Sequence, residues 1–416
     1  MKKLLVLGCV IVIVSRCAPV ARLAPLAPFA PIDFSRTMRV DYLHTGGPGG
    51  EVLKLDRVVA EGPWPGSRTR LSDDTNLGEY FFEIVDGATK QVMYSRGFSS
   101  IYGEWITTPE VGIANRTFHE SLRFPWPTAP VRVVVKKRDP QNTFHAFWSI
   151  EIDPSSSTVS RLGRPADAKA WPIIESGRAN EKVDLLLMSD GYSTDDLPKF
   201  HADAARLVSA LFELEPFKSR KNDFNVRALD LPGRRLSVQS NIFGLERYQL
   251  TYDNRALRDL GASAPYDVAV ILTNDQRYGG GGIFNLQSTV AAGAKASEYV
   301  FIHELAHNLA GLGDEYVGNV TYVTGVVRKV EPWEPNLTAL LDPTRLKWRE
   351  LVEPGTPLPT PMSFAGKVGA FEGAGYEARG LYRGEAYCIM FSRNPVGFCR
   401  VCQRAINRVI DTYTSR

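Results

Sequence analysis

The chain has 416 residues, with 49 Lys and Arg against 46 Asp and Glu, for a formal net charge of +3. A balance this close to neutral gives no electrostatic footing on nucleic acid. Hydrophobic residues make up 44% of the chain, enough to fill the cores of two or three domains.

Met1-Lys2-Lys3 followed by the apolar run Leu4 to Val14 reads as a secretory signal, too short for a membrane-spanning helix. Residues 1–17 are therefore expected to be a signal peptide and the protein to be exported. Cys17 is a position for lipid modification and membrane attachment, although Arg16 stands where such a site prefers a small residue. Residues 18–32, APVARLAPLAPFAPI, form a stiff Ala- and Pro-rich tether. Strand-like runs follow at Val40–His44, Leu53–Ala60, Tyr80–Val85, Gln91–Tyr94, Val131–Lys136 and Phe144–Ile152, separated by Gly, Pro and Asp turns. They predict a β-sandwich over residues 33–155. His119 beside Glu120, and His145, have no catalytic spacing and read as structural. Asp153 to Ala170 is rich in Ser, Pro and Ala and reads as a linker, which puts a second domain at 171–416.

In that second domain Val183–Met188 predicts a buried strand, with a turn at Asp190-Gly191. A helix capped near Ser193 or Thr194 carries Leu197, Phe200, Ala204, Leu207, Val208 and Leu211 on one face. Asp190 and Tyr192 read as turn chemistry. Tyr266–Thr273 is a further strand. Tyr278 and the four glycines Gly279 to Gly282 form a permissive loop that lets backbone lie close to another chain. No Lys-Ser/Thr follows, so it is not a phosphate cradle.

The run HELAHNLAGLGDEY, His303 to Tyr316, carries the chemistry. Residues four apart share a helix face, so His303 and His307 can aim two imidazoles at one Zn²⁺. Glu304 is placed to take a proton from a water activated by the metal. The pattern alone is weak, but an apolar stretch precedes it and a Gly stop follows. A catalytic zinc usually takes three protein ligands. No histidine follows His307, so a downstream ligand must be a carboxylate. A continuing helix would carry Asp314 about 10 Å past His307. Gly311 can adopt a left-handed conformation, end the helix and turn the chain back. Asp314 is then the expected third ligand. Glu315 is the alternative, or a group that orients a histidine. Tyr316 is a candidate donor to the oxyanion, or core.

Beyond the leader the cysteines are Cys388, Cys399 and Cys402, an odd number. In an exported protein one disulfide among them is expected, in a pairing the sequence leaves open. Cys399-x-x-Cys402 with Cys388 could also be part of a structural zinc site, but no fourth ligand is visible, which favours the disulfide.

The His303–Tyr316 stretch resembles the immunoglobulin A peptidase family of bacterial zinc metallopeptidases, which is metzincin-like. Its Gly and Asp fall one residue later than the standard metzincin spacing, as that family's longer spacing implies. Further resemblance lies in VDLLLMSDGYSTDDLPKF, PYDVAVILTNDQRYGGGGIF, GAFEGAGYEARGLYRGEAYCIM and CIMFSRNPVGFCRVC, and, in the first domain, in EGPWPGSRTRLSDDTNLGEYFFEIVD and SRGFSSIYGEW. The resemblance implies a methionine turn at Cys388-Ile389-Met390, with Met390 beneath the metal. It also implies an edge strand or loop around Tyr278, Gly279, Gly280 and Gly281 that pairs with an extended substrate. Tyr376 and Tyr382 are implied as substrate contacts. The fold class expected is α+β, an N-terminal β-sandwich followed by a metzincin-like α/β zinc peptidase domain. The function expected is an exported endopeptidase of the bacterial cell envelope, or a secreted one. It would use one Zn²⁺ and a Glu base on a protein or peptide substrate. The alternatives are a surface-binding or adhesion lipoprotein with an inactive peptidase domain, which the intact ligands argue against, and a zinc amidase acting on cell-wall peptides.

Overall fold

The computed structural model describes residues 31–161, 168–318, 330–392 and 396–414. The signal segment, Cys17 and all but the end of the tether lie outside them. Among the described residues no helix is long and apolar enough to cross a membrane.

The first domain is a sandwich of two four-stranded sheets. Its strands are β1 (Ile32–Gly47), β2 (Gly50–Glu61), β3 (Tyr80–Asp86), β4 (Val92–Phe98), β5 (Arg116–Pro127), β6 (Val131–Arg138), β7 (Phe144–Ile152) and β8 (Ser160–Arg161). One sheet runs β5-β1-β2-β8 and the other β4-β3-β6-β7. Alternate residues turn inward, as the strand period requires. Met38, Val40 and Tyr42 of β1 meet Tyr80, Phe82 and Ile84 of β3 and Val131, Val133 and Val135 of β6 in a single core. Strand β5 was not expected. Its inward residues Phe118, Leu122 and Phe124 alternate correctly, but Glu120 interrupts the apolar pattern. Glu120 is buried because it meets the Nδ1 of His44 at 2.9 Å.

The outer face of β1 is buried too, against the second domain. Arg39 is fully enclosed, pairing with Asp41 and Glu61 of its own sheet and Asp259 across the boundary. A buried charge is tolerated where it is paired in this way. A short helix, α1 (Ile101–Trp105), adds an apolar contact, with Ile101, Tyr102 and Trp105 packing against Ile242, Leu250, Ile283 and Leu286.

The second domain is built on a six-stranded sheet. Strands β9 (Lys169–Ile174), β10 (Val183–Asp190), β11 (Phe224–Asp230), β12 (Val268–Thr273), β13 (Gly280–Ile283) and β14 (Gln287–Ala291) stand in the order β13-β14-β12-β10-β11-β9. The four central strands are parallel, and both edge strands run antiparallel to their neighbours. Every residue of β10 is buried, as a parallel strand covered on both faces demands. Leu185 and Leu187 face α2 (Leu197–Leu211), α4 (Ser297–Ala310) and α5 (Arg400–Tyr413). Leu186 and Met188 face α3 (Asn254–Gly261). A small sheet of β15 (Leu337–Thr338), β17 (Glu377–Arg383) and β16 (Phe371–Ala374) completes the domain.

Two details differ from the sequence reading. The described ends of the linker are not free, since β8 joins the first domain's sheet and β9 the second's. Helix α2 starts at Leu197, with Asp196 at its cap, later than Ser193 or Thr194. Ser193 Oγ instead donates to the Asp196 carboxylate at 2.7 Å, which closes a turn ahead of the helix. Asp190 and Tyr192 do hold turns. Asp190 accepts from the Leu236 and Val238 amides, and Tyr192 donates to Asp203.

Candidate metal centre and active site

Helix α4 carries the site. Gly311 caps it at φ 59°, ψ 30°, the left-handed conformation glycine adopts without penalty. The chain then reverses. The Gly313 amide donates to Asn336 Oδ1, and Asn336 Nδ2 donates back to Gly313 O, both at 2.8 Å. This clamp returns Asp314 to the helix. His303 Nε2 lies 2.9 Å from Asp314 Oδ1, His307 Nε2 lies 3.4 Å from it, and the two Nε2 atoms are 3.1 Å apart. Ligands around a tetrahedral zinc at about 2.0–2.1 Å stand roughly 3.3 Å from one another, so the three donors fit such an ion.

The remaining nitrogens fix the rings. His307 Nδ1 bonds the Leu312 carbonyl. His303 Nδ1 lies 3.4 Å from both the Ile389 carbonyl and the Tyr299 hydroxyl. An Nδ1–H held by a carbonyl leaves the Nε2 lone pair facing the site. Tyr376 donates to Asp314 Oδ2 and so holds the carboxylate by its other oxygen. The charges are mutually supportive. With no cation between them, burial would lower the His307 imidazole, but the Asp314 carboxylate outweighs it and raises His307 to about 9, so that a proton takes the place a metal ion would fill. Burial would raise Asp314, but His307 and His303 hold it well below the usual carboxylate range. Glu304, partly exposed beside the donors, is raised by burial against the pull of both imidazoles, which suits a proton acceptor.

Of the other residues singled out in the sequence, Met390 is fully buried in the main core. Its carbonyl accepts from the Glu315 amide at 2.9 Å, so the 388–390 turn lies directly against the Asp314-Glu315 segment. Tyr316 is half-buried, stacked edge-on to Tyr376, with its hydroxyl accepting from Arg247 at 3.1 Å. Tyr376 serves Asp314, and Tyr382 takes a buried place in β17 opposite Glu372 and Thr338. Tyr278 packs on the main core.

The glycine run is a strand in the structure. Gly279, Gly280 and Gly281 are buried, and the outward groups of Gly280 are taken by Arg247 O and Gln249 N. The edge expected to receive a substrate is thus closed there by the 247–249 segment. The glycines serve packing instead. A Cβ at 280 would meet Val300, and one at 282 would meet the Glu304 carbonyl and His307 Cβ.

Glu315 turns away from the histidines. Its carboxyl lies with the Cys388, Cys399 and Cys402 sulfurs, all four ligand atoms within 4.8 Å of one another. The three thiols are free, so the disulfide expected from the sequence is not made. Burial is the main force raising the Glu315 carboxyl, to about 8.

Residues the sequence did not single out complete the surroundings. Asn336 clamps the turn, and Arg247 orients Tyr316. Glu104, from α1 of the first domain, accepts from the Tyr248 hydroxyl at 3.0 Å. Burial pushes its carboxyl up to about 7, and Tyr248 offsets part of that rise. Tyr248 in turn stands over Gly281. No local pattern marks these residues, because each acts through a contact distant along the chain.

Comparison with known families agrees with the fold. Two family models match and both describe peptidases, so the protein is a peptidase, a hydrolase of peptide bonds. The model described as IgA Peptidase M64 matches residues 171–365 and 362–410, and that described as Peptidase M64 N-terminus matches 29–149. The chain belongs to the IgA peptidase M64 family. Peptidases of this family are metallopeptidases. No curated protein matches the chain.

Proposed function

We propose that the protein is an exported, zinc-dependent endopeptidase whose metal is held by His303, His307 and Asp314. The convergence of these three donors, with each of their outer atoms held by a protein group, is the observation that carries this reading. Zinc bound there would polarise the scissile carbonyl and lower the pKa of an attacking water. Glu304 takes the water proton and delivers it to the leaving amine. Burial, with the Asp314 and Glu304 carboxylates, raises the Tyr316 phenol and keeps it protonated, so it can donate to the carbonyl oxygen as charge develops there. Arg247 holds that hydroxyl in place. The first domain braces this arrangement through Glu104 and Tyr248. Export rests on the basic start and apolar run of residues 1–17.

Cleavage of a diverse peptide library, with immunoglobulin A as one added substrate, tests the reading. Cuts made by the wild type and abolished in Glu304→Ala support it. No cut by either, with zinc bound, would contradict it in favour of a non-peptide amide substrate or a binding role.

A further inference from the structure

We infer that Cys388, Cys399, Cys402 and Glu315 form a second, structural zinc site behind the catalytic one. The four are buried, with Glu315, Cys388 and Cys402 at 0% exposure and Cys399 at 5%. They come from three separate places: the segment after α4, the 388–390 turn, and the first turn of α5. Their convergence is therefore a property of the fold.

The spacing fits a metal and does not fit a disulfide. Cys388 Sγ and Cys402 Sγ are 3.7 Å apart. Thiolates around a tetrahedral zinc at about 2.3 Å stand about 3.8 Å apart, whereas a disulfide needs about 2.05 Å. Glu315 Oε1 lies 3.1 Å from Cys402 Sγ and 4.0 Å from Cys399 Sγ. The tetrahedral value for one carboxylate oxygen and one sulfur is about 3.5 Å. Two backbone amides point at sulfur, Cys399 N at Cys388 Sγ (3.3 Å) and Cys402 N at Cys399 Sγ (3.5 Å), as suits thiolates. The Cys-x-x-Cys at the start of α5 has the ligand spacing common in structural zinc sites.

The carboxylate makes the case independently. Asn336 Nδ2 donates to Glu315 Oε1 at 3.0 Å, but buried Glu315 Oε2 has no hydrogen-bond partner among the described residues. A buried carboxyl oxygen left without a partner is costly, and a cation beside it would supply one. A disulfide would use two sulfurs and leave the third thiol and the carboxylate unanswered, whereas a metal uses all four. Three thiolates and one carboxylate, with every position taken by protein, suit zinc in a closed site with no opening for substrate.

The site has a structural consequence. Asp314 and Glu315 are neighbours, so one peptide unit carries a ligand to each ion. Ile389 and Met390 lie between Cys388 and the catalytic histidines, with their carbonyls toward His303 and the Glu315 amide. The second ion would fix the turn, the ligand segment and α5 as one unit.

The test is metal content and ligation in the full mature chain, read without reference to activity. Wild type should hold two zinc ions, and His303→Ala/His307→Ala should keep one. With cobalt in place of zinc, that double variant should show intense thiolate-to-metal charge-transfer absorption. Cys399→Ser/Cys402→Ser should lose the band; if that variant fails to fold, the cobalt spectrum of His303→Ala/His307→Ala decides alone. A double variant without metal, or with cobalt but no sulfur band, would overturn the inference. So would a wild-type mass lower by a pair of hydrogens with one reactive thiol, the signature of a disulfide. Because the count is taken in a variant lacking the proposed catalytic ligands, it stands or falls separately from the peptidase mechanism.

Discussion

Gly282 is the most exacting small contact at the site, and Gly282→Ala tests whether the glycine strand exists to seat α4. A Cβ there would stand 2.9 Å from His307 Cβ and closer still to the Glu304 carbonyl oxygen. Relaxed carbon–carbon contact is about 3.5–4.0 Å, so β13 and α4 must part by at least about 0.6 Å. Neither neighbour is the tip of a flexible side chain that could swing aside. Overpacking of this kind costs about 1–3 kcal/mol, which for a domain of this size lowers Tm by about 2–12 °C. The same shift moves His307 and Glu304. Because a misplacement of about 1 Å can cost 10²-fold in rate, a loss on the order of tenfold or more is expected in peptide hydrolysis. Thermal unfolding and kcat/KM would be measured beside Gly62→Ala, where an added Cβ meets nothing within 4 Å. Wild-type stability and activity in Gly282→Ala would refute the packing argument and return the glycine run to the role of a substrate edge.

Glu304→Gln should keep its metal and lose activity by about 10²–10⁴-fold or more, read by metal analysis and peptide hydrolysis on one sample. Asp314→Ala should lose the catalytic metal, and Tyr376→Phe should weaken its binding by about 10–100-fold, both read by competition with a chelating dye; wild-type affinity in Asp314→Ala would move the ligand assignment elsewhere. The first domain carries a pH-dependent element. Burial acts to lower the His44 imidazole, but Glu120 and Glu51 outweigh it and hold it above its ordinary 6.5. A raised folded value means the stabilisation is complete below about pH 6.5 and is lost as pH rises through the folded value. Tm should therefore fall across that interval, and His44→Gln should flatten the profile; an unchanged slope would show that other groups set it.

The meeting of His303 and His307 was legible because four-residue spacing is local, and Gly311 announced both the helix end and the reversal that brings Asp314 back. What depended on distant partners was not legible. Glu315 looked like a spare carboxylate because its sulfur neighbours lie more than seventy residues along the chain. With it unplaced, the three cysteines lacked a fourth ligand and read as a disulfide. Four glycines correctly signalled close approach of backbone, but the partner is α4 and the 247–249 segment. The sandwich was visible from strand alternation, except where buried Glu120 hid β5. Glu104 could not be found at all, since only docking of the first domain brings it near Tyr248.

The most direct test of the account is to strip the mature protein with a chelator, confirm the loss of metal, and add zinc back while peptide hydrolysis is followed by mass spectrometry. The account predicts that hydrolysis disappears with the metal and returns with zinc in wild type, while Glu304→Gln stays inactive in both states. Full hydrolysis by protein shown to be free of metal would contradict it.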